Sequence, residues 1–313
     1  MIEPRLNYVP CPGFAAKNNP AANAASGHRM AYWEWNGTGN AAHPHVIVCV
    51  HGLSRQGRDF DQLARVLCRH ARVICPDVVG RGYSDWLADP EGYQLPVYAA
   101  DMLALLAQLH AQAPIATLDW VGTSMGGLIG MAICGQPGLQ LPAPVRRLVL
   151  NDVGPSIEWQ ALARIGQYLG APVHFATQQQ GADALWAIST SFGPHTPEQW
   201  LELSLPMLRE APGEGWQLHY DPQIAVPFRA LTPQAASDGE QQLWQLYAQI
   251  KAQVLLLRGA QSDLLAPETA RRMQANGPCA QLVEFAGVGH APTLVAPTQI
   301  EVVERFLLAG DAA

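Results

Sequence analysis

The chain has 313 residues, of which 49% are hydrophobic and 14% charged, and its net charge is −7 at pH 7. This composition is typical of a globular protein with a sizeable core, long enough for one large domain or a domain with an insertion. The charge is spread along the chain without a basic stripe, and no apolar run is long enough to cross a bilayer. We therefore expect the protein to bind neither nucleic acid nor a membrane.

Residues 1–29 are rich in Pro, Asn and Ala and lack periodicity, which predicts an irregular N-terminal arm. Beyond the arm, strand-like apolar runs alternate with helix-like runs, as expected for a mostly parallel sheet with helices on both faces. The predicted strands cover 29–35, 45–52, 71–85 (a strand ending in a loop), 115–122, 145–152, 251–259 and 280–285. The predicted helices cover 59–70, 98–112, 124–136, 266–276 and 297–310.

The pattern changes between residues 154 and 245, where strand-like runs vanish and helical stretches rich in Trp and Pro take over. This block interrupts the alternation of strands and helices. It predicts a helical cap, or lid, over 154–245, inserted into a core domain made of residues 30–153 and 246–313.

The N-terminus has no basic start followed by an apolar stretch, so no signal peptide is expected. The six cysteines form no C-x-x-C pair and show no metal-like clustering, and most lie in apolar runs. They are typical of reduced core cysteines, and we therefore expect a cytoplasmic protein without a bound metal.

A serine between two glycines separates the strand over 115–122 from the helix over 124–136. The segment reads Gly122-Thr123-Ser124-Met125-Gly126. A sharp strand-to-helix turn presents a serine hydroxyl at the end of a sheet, and side chains two positions before and after it would collide. The helix N-terminus also favours developing negative charge. The pattern predicts Ser124 as a nucleophile, and a glycine-rich turn used only for close packing is the alternative.

Two stretches near the C-terminus can supply the base and the acid that a nucleophilic serine needs. His290 follows the strand over 280–285, and Asp263 follows the strand over 251–259. The order serine, aspartate, histidine is the one expected on such a fold. Asp152, directly at the end of the strand over 145–152, is the competing acid. For His290 the alternative is a surface-loop histidine, and Asp77 is expected to order its own loop.

Acyl transfer also requires donors aimed at an oxyanion. The backbone N–H of Met125, directly after the serine, is one candidate. The second is the N–H of Leu53, in the loop that follows the strand over 45–52. His51 in that loop could be mistaken for a catalytic base, and we expect it to brace the loop through hydrogen bonds.

At these residues the chain resembles the α/β-hydrolase superfamily, over about residues 30–310. The similar motifs are VCVHGLSRQGRDF, VICPDVVGRGYSD, WVGTSMGG, LLLRGAQSDLL and GVGHAPTL. The resemblance implies an eight-stranded, mostly parallel sheet with a helical cap, and hydrolysis without a cofactor. It also implies Ser124 as nucleophile, Asp263 as acid, His290 as base, and Leu53 and Met125 as oxyanion donors. A serine at the elbow is unlike the aspartate of haloalkane dehalogenases and most epoxide hydrolases, which argues against both activities.

Several side chains are candidates for contact with a substrate: Arg55, Trp159, Trp186 and Phe192. The three aromatic residues fall in the predicted cap, where they could line an apolar pocket or pack helices together. Arg55 could meet a polar or anionic group, or pair with Asp59 or Asp61.

The pattern as a whole predicts a serine hydrolase that cleaves small-molecule carboxylic esters through an acyl-enzyme intermediate. Carbon–carbon bond hydrolases and lactonases use the same three residues and remain alternatives. A receptor that binds a small ligand on a hydrolase fold is an alternative from a different class, and rapid repeated turnover would distinguish an enzyme from it.

Overall fold

The computed structural model describes residues 2–14 and 27–310. Its strands are β1 (Arg5–Cys11), β2 (His28–Trp35), β3 (His45–Val50), β4 (Arg72–Pro76), β5 (Thr117–Thr123), β6 (Val145–Asn151), β7 (His174–Phe175), β8 (Leu208–Ala211), β9 (Gly215–Leu218), β10 (Gln253–Gly259) and β11 (Gln281–Phe285). Eight of them form one sheet in the order β1-β2-β4-β3-β5-β6-β10-β11. β2 is antiparallel to both of its neighbours, β1 and β4, and all other neighbouring pairs in the sheet are parallel. The predicted eight-stranded, mostly parallel α/β fold is therefore confirmed.

The strand that completes this sheet lies in the segment predicted to be irregular. β1 pairs with β2 in antiparallel register, with Val9 opposite Met30 and Cys11 opposite His28. Pro10 is tolerated because β1 is an edge strand, which needs hydrogen bonds on one side only. An irregular arm over 1–29 is thus wrong for residues 5–11 and 28–29, and residues 15–26 of the predicted arm lie outside the described residues.

The α-helices are α1 (Asp61–Leu67), α2 (Leu95–Gln112), α3 (Met125–Gly135), α4 (Trp159–Tyr168), α5 (Gln178–Ser189), α6 (Pro197–Ser204), α7 (Ala225–Arg229), α8 (Pro233–Gln249), α9 (Pro267–Ala275) and α10 (Pro297–Leu308). Apolar residues of α2, α3, α8 and α9 pack on one face of the large sheet. Those of α1 and α10 pack on the other face. Strands such as β3 are buried on both faces, which explains their continuous apolar runs.

The segment predicted as a helical cap contains strands as well as helices. β7, β9 and β8 form a small antiparallel sheet beside α5. A purely helical description is therefore wrong for these strands, which are only two to four residues long and too short to show a strand period. The predicted boundary at 245 falls inside α8, whose Leu246 backbone packs closely against Gly135 of α3. The division into core and cap stays a prediction.

All six cysteines are free, and Cys11, Cys49, Cys68 and Cys75 are buried. Over the described ranges, none of the helices combines the length and apolar character needed to span a membrane.

Candidate active site

The turn between β5 and α3 holds Ser124 in a strained backbone conformation. Ser124 has φ 52° and ψ −117°, a region that non-glycine residues rarely adopt. A Cβ atom on Gly122 would overlap the backbone of Gly126, and one on Gly126 would overlap the carbonyl oxygen of Val50. Both glycines are therefore required for the close approach of α3 to β5 and β3, and the turn presents the Ser124 hydroxyl at the carboxyl end of the sheet.

His290 lies between Ser124 and an aspartate. Its Nε2 is 3.1 Å from Ser124 Oγ, and its Nδ1 is 2.7 Å from Asp152 Oδ2. The carboxylate can only accept, so Nδ1 carries the proton and Nε2 is left to accept from the serine hydroxyl. The Asp152 side chain is fully buried, while that of His290 is 12% exposed. This is the geometry that activates a serine toward a carbonyl carbon.

The structure brings Asp152 to His290, not Asp263. The Asp263 side chain is 48% exposed and forms an ion pair with Arg164, with 2.7 Å between Arg164 Nη2 and Asp263 Oδ2. The prediction of Asp263 as the residue beside His290 is therefore corrected. β6 and β10 are neighbours in the sheet, so an acid at the end of either strand could reach the same histidine, and the sequence pattern alone did not separate them.

The end of β10 instead supplies donors to the Asp152 carboxylate. Gly259 N–H donates to Oδ1 at 2.9 Å, and the Ser262 hydroxyl donates to Oδ2 at 2.7 Å. Asp152 itself has φ 56°, in the left-handed region that aspartate tolerates better than most residues. These bonds fix the carboxylate and compensate its burial.

Asn151, next to Asp152, links the serine turn to the histidine loop. Its Nδ2 donates to Thr123 Oγ1 at 3.0 Å and to the Pro292 carbonyl at 2.7 Å, and its carbonyl accepts from Ser124 N–H at 3.0 Å. The sequence holds no signal for this role beyond the place of Asn151 at the end of a predicted strand.

Of the two predicted oxyanion donors, Met125 directly follows Ser124 in the chain, and Leu53 lies near Ser124 in the loop after β3. Met125 is the first residue of α3, so its N–H has no partner within the helix. A fully buried arginine contacts both residues: Arg81 Nε donates to the Leu53 carbonyl at 2.8 Å, and Nη2 lies 3.7 Å from Met125 Sδ. Arg81 was not among the predicted site residues, although its place between two glycines in the loop after β4 is a signal of a special backbone.

His51 braces the loop after β3, as expected. Its Nε2 accepts from Val78 N–H at 2.9 Å, and Nδ1 lies 2.7 Å from the Gly52 carbonyl. Complete burial, together with a smaller contribution from the nearby Arg81 charge, lowers the pKa of His51 to about 3. The ring is therefore neutral at neutral pH and serves as a hydrogen-bonding brace.

Asp77 orders its own loop, also as expected. Its Oδ1 accepts from Gly57 N–H at 2.8 Å, and its Oδ2 accepts from Tyr83 N–H at 3.0 Å. Burial raises the pKa of Asp77 to about 6, against the opposing effect of these hydrogen bonds.

Two cavities meet at Ser124, and both are lined by Ser124, Leu53 and Ile165. The first has a volume of about 310 Å³ and is lined by Arg55 and Phe192 among others. The second, of about 730 Å³, is lined by Trp159 among others. These volumes fall in the range of small-molecule sites.

Three of the four predicted substrate contacts thus lie at these cavities. Trp186 lines neither of them; it packs edge-on against Trp200, with 4.9 Å between ring centroids, in an apolar cluster of α5 and α6. The prediction that Trp186 contacts substrate is therefore corrected. Arg55 lines the first cavity and also pairs with Asp59, with both contacts at 2.7 Å.

Within the described residues, one group of side chains could hold a metal ion: Cys11, His28 and Asp101, whose ligand atoms lie within 4.8 Å of one another. The group joins β1, β2 and α2, and none of its members lines either cavity at Ser124. His28 Nε2 and Asp101 Oδ2 are already paired at 2.9 Å, and burial raises the pKa of the Cys11 thiol far above neutrality. A protonated thiol beside a His–Asp pair fits a buried polar contact better than a ligand set.

Fold and site together define an α/β hydrolase. The chain belongs to the alpha/beta hydrolase family, whose family model matches residues 47–301. Over 306 residues it is 50% identical to the 3-hydroxybutyrate-oligomer hydrolase of Cupriavidus necator, and the match covers 97% of each chain.

Two further comparisons extend this result. The chain is 28% identical over 253 residues to the 2-hydroxymuconate semialdehyde hydrolase of a Pseudomonas species, covering 78% of this chain and 77% of the relative. The crystal structure of an alpha/beta hydrolase from Novosphingobium aromaticivorans superposes with a TM-score of 0.78 at 33% identity, covering 98% of this chain and 99% of that one. The resemblance to α/β hydrolases predicted from the motifs is confirmed.

Proposed function

We propose that the protein hydrolyses carboxylic esters through an acyl-enzyme formed on Ser124, and that oligomers of 3-hydroxybutyrate are its substrates. The observation that carries the proposal is the position of His290 between Ser124 Oγ, at 3.1 Å, and Asp152 Oδ2, at 2.7 Å. A base within hydrogen-bond reach of the hydroxyl, itself oriented by a buried acid, is what serine needs to become a nucleophile.

In the first half of the reaction, Ser124 Oγ forms a bond to the ester carbonyl carbon while its proton passes to His290 Nε2. The N–H groups of Leu53 and Met125 stabilise the resulting oxyanion. The bond between the carbonyl carbon and the alkoxy oxygen then breaks, and His290 returns the proton to the departing alcohol. The Asp152 carboxylate holds the ring in orientation and stabilises the transient imidazolium.

In the second half, water takes the place of the alcohol. His290 Nε2 removes a proton from the water, whose oxygen attacks the acyl carbon of the acyl-enzyme. The bond to Ser124 Oγ breaks, the serine recovers its proton from His290, and the carboxylic acid leaves. The bonds and protons of both halves of the reaction balance with these side chains and water alone.

The substrate assignment is supported by the relative from Cupriavidus necator, which is 50% identical and of nearly the same length. A linear 3-hydroxybutyrate oligomer is a short chain of esters with branched four-carbon units. The mostly apolar linings of the two cavities suit such units, and a chain that crosses Ser124 could extend into both.

The test compares wild type with Ser124→Ala on p-nitrophenyl butanoate and on the linear 3-hydroxybutyrate trimer. We expect wild type to turn over both, and the variant to lose about 10⁴- to 10⁶-fold in kcat. Near-complete activity in a folded Ser124→Ala variant would exclude the mechanism. Wild-type cleavage of the aryl ester without cleavage of the trimer would exclude the substrate.

A second candidate activity is hydrolysis of a carbon–carbon bond. Its specific support is the similarity to the 2-hydroxymuconate semialdehyde hydrolase, which covers 78% of this chain. A vinylogous 1,5-diketone added to the same assay distinguishes the two candidates. Turnover of the diketone with a kcat/KM above that for the trimer would favour carbon–carbon cleavage.

A further inference from the structure

The two cavities that meet at Ser124 differ in their relation to the proton donor. His290 lines the first cavity, of about 310 Å³, and does not line the second. Met125, whose N–H faces the oxyanion in the proposed mechanism, lines only the second. The leaving alcohol must lie beside His290 to receive its proton. The alcohol half of the ester therefore belongs in the first cavity and the acyl half in the second.

The cavities also differ in the charged side chains that line them. The charged lining residues of the first cavity are Arg55 and Arg164, whereas those of the second are Glu91 and Glu240. Asp59 and Asp263, the ion-pair partners of the two arginines, do not line the first cavity. An anionic group on the substrate is therefore attracted to the first cavity and repelled by the second.

The Arg164 side chain, 40% exposed, is more accessible to such a group than the Arg55 side chain, 12% exposed. Asp59 holds Arg55 bidentately, and Nη2 of Arg55 also donates to the Leu203 carbonyl at 3.3 Å. Asp263 contacts the same two atoms of Arg164, Nε and Nη2. Neither ion pair contacts Nη1 of its arginine, so the greater exposure of Arg164 favours it as the group that meets a ligand.

Tyr168 adds a second donor next to Arg164. The two residues are four positions apart on α4, which places them on one helix face, and both line the first cavity. Burial raises the pKa of Tyr168, against the effect of the neighbouring Arg164. The phenol is therefore protonated at neutral pH and can donate a hydrogen bond. A guanidinium beside a phenol O–H is well suited to a carboxylate.

We propose that the first cavity holds the alcohol half of the ester and that Arg164 and Tyr168 bind a free carboxylate on it, so that hydroxyacid oligomers are cleaved from their carboxyl ends. The inference rests on the proposed ester hydrolysis at Ser124. In a hydroxyacid oligomer, the only free carboxylate belongs to the carboxyl-terminal unit, so a single-unit alcohol half carries it only at the last ester bond. When the ester bond breaks, His290 protonates the alkoxide of this unit, which leaves as the hydroxyacid. The remaining chain stays on Ser124 as the acyl group, in the larger cavity.

A pair of single-ester probes tests the role of the carboxylate. They are 3-(butanoyloxy)butanoate and its neutral carboxamide, 3-(butanoyloxy)butanamide, with butanoate release as the readout. We expect wild type to prefer the carboxylate probe, and Arg164→Met to lower that preference in kcat/KM by about 10- to 100-fold. Tyr168→Phe, which keeps the ring, should lower it by about 3- to 10-fold. Arg164→Lys should restore part of the preference, because the positive charge returns.

Arg271→Met is the matched control, because Arg271 is an exposed helix arginine paired with Glu268 and lines neither cavity. It should leave the ratio of the two kcat/KM values unchanged. An equal loss on both probes in Arg164→Met would contradict the inference, because loss of folding or of general activity does not change the ratio. Hydrolysis of neither probe by wild type would instead contradict the proposed function.

The direction of cleavage is tested with a linear 3-hydroxybutyrate trimer that carries an isotopic label in its carboxyl-terminal unit. Single-turnover analysis should give labelled monomer and unlabelled dimer as the first products. Unlabelled monomer as the first product would show cleavage from the hydroxyl end and overturn the inference, even if the ester hydrolysis itself is confirmed.

Discussion

The loops at the carboxyl ends of the central strands and the segment over 154–245 enclose the same cavities with different kinds of structure. In the strand-end loops, side chains are buried and held by several hydrogen bonds each, as Asp152 is by Gly259 and Ser262. Around the cavities, the 154–245 segment offers mainly apolar and partly exposed groups, such as Phe192 and the 41%-exposed Trp159. We expect the first arrangement to hold reacting groups in a fixed geometry, and the second to shape the space for a substrate.

This contrast leads to a clear expectation for mutations. Changes in the strand-end loops should lower kcat on every ester, because they alter the reacting groups themselves. Changes in the 154–245 segment should alter KM, and to a degree that depends on the substrate.

The largest effect is expected at the two competing aspartates. Asp152→Asn should lower kcat by about 10⁴-fold on p-nitrophenyl butanoate, because an amide facing Nδ1 favours the wrong tautomer of His290 and no longer stabilises the imidazolium. Asp263→Asn is the matched control, and its loss of kcat should stay below about tenfold. Steady-state kinetics on the purified variants measures both values, and a larger loss in Asp263→Asn than in Asp152→Asn would reverse the assignment made from the geometry.

The same contrast explains how much could be predicted from the sequence. The other seven strands of the large sheet and the serine turn were predictable, mainly because buried parallel strands leave continuous apolar runs and because the turn requires glycine at two positions. β1 was missed because an edge strand with Pro10 and one exposed face has a weak pattern. The positions of Ser124 and His290 after the ends of two predicted strands indicated that they lie close together, and 3.1 Å separates Ser124 Oγ from His290 Nε2.

The sequence did not predict which of two residues that are close in space occupies a given place in the site. Asp152 and Asp263 follow adjacent strands, and only the three-dimensional path of the loops shows which carboxylate meets His290. Trp186 and Phe192 lie on one short stretch of sequence, but the first packs against Trp200 and the second lines a cavity. The direction in which each of these two side chains points depends on tertiary packing, which the local sequence does not specify.

A smaller effect is expected for His51, whose hydrogen bonds hold the loop after β3, and it concerns the pH dependence of stability. His51 is neutral when folded, with a pKa lowered to about 3 by burial, against 6.5 when unfolded. The unfolded chain therefore binds more protons between these values, and the stability contributed by His51 is complete above pH 6.5 and lost as the pH falls toward 3. Relative to His51→Gln, wild type should lose about 1.4 kcal/mol of unfolding free energy per pH unit in this window.

Urea unfolding at pH 7 and pH 5 measures this difference. Asp77, whose pKa is raised to about 6, acts in the opposite direction, since its charged form costs stability above pH 6 and this cost is relieved on acidification. Because Asp77 is present in both proteins, its contribution cancels in the comparison. His195→Gln, in the partly exposed 154–245 segment, is the control and should show a weaker pH dependence. If the unfolding free energies of wild type and His51→Gln changed equally with pH, His51 would not be a buried histidine that is neutral in the folded protein.

The smallest effect is expected in the 154–245 segment itself. Phe192 lines the first cavity and lies under the Arg55 guanidinium, with 5.9 Å from Arg55 Cζ to the ring centroid. Phe192→Ala should raise KM for p-nitrophenyl butanoate by roughly tenfold and change kcat little, because it removes apolar contact with bound substrate but leaves the reacting groups in place. Trp186→Phe, which alters a neighbouring ring outside the cavity, should leave KM unchanged and lower only the melting temperature. A larger rise in KM for Trp186→Phe than for Phe192→Ala would contradict this expectation and would place the apolar cluster of α5 and α6 in the substrate site.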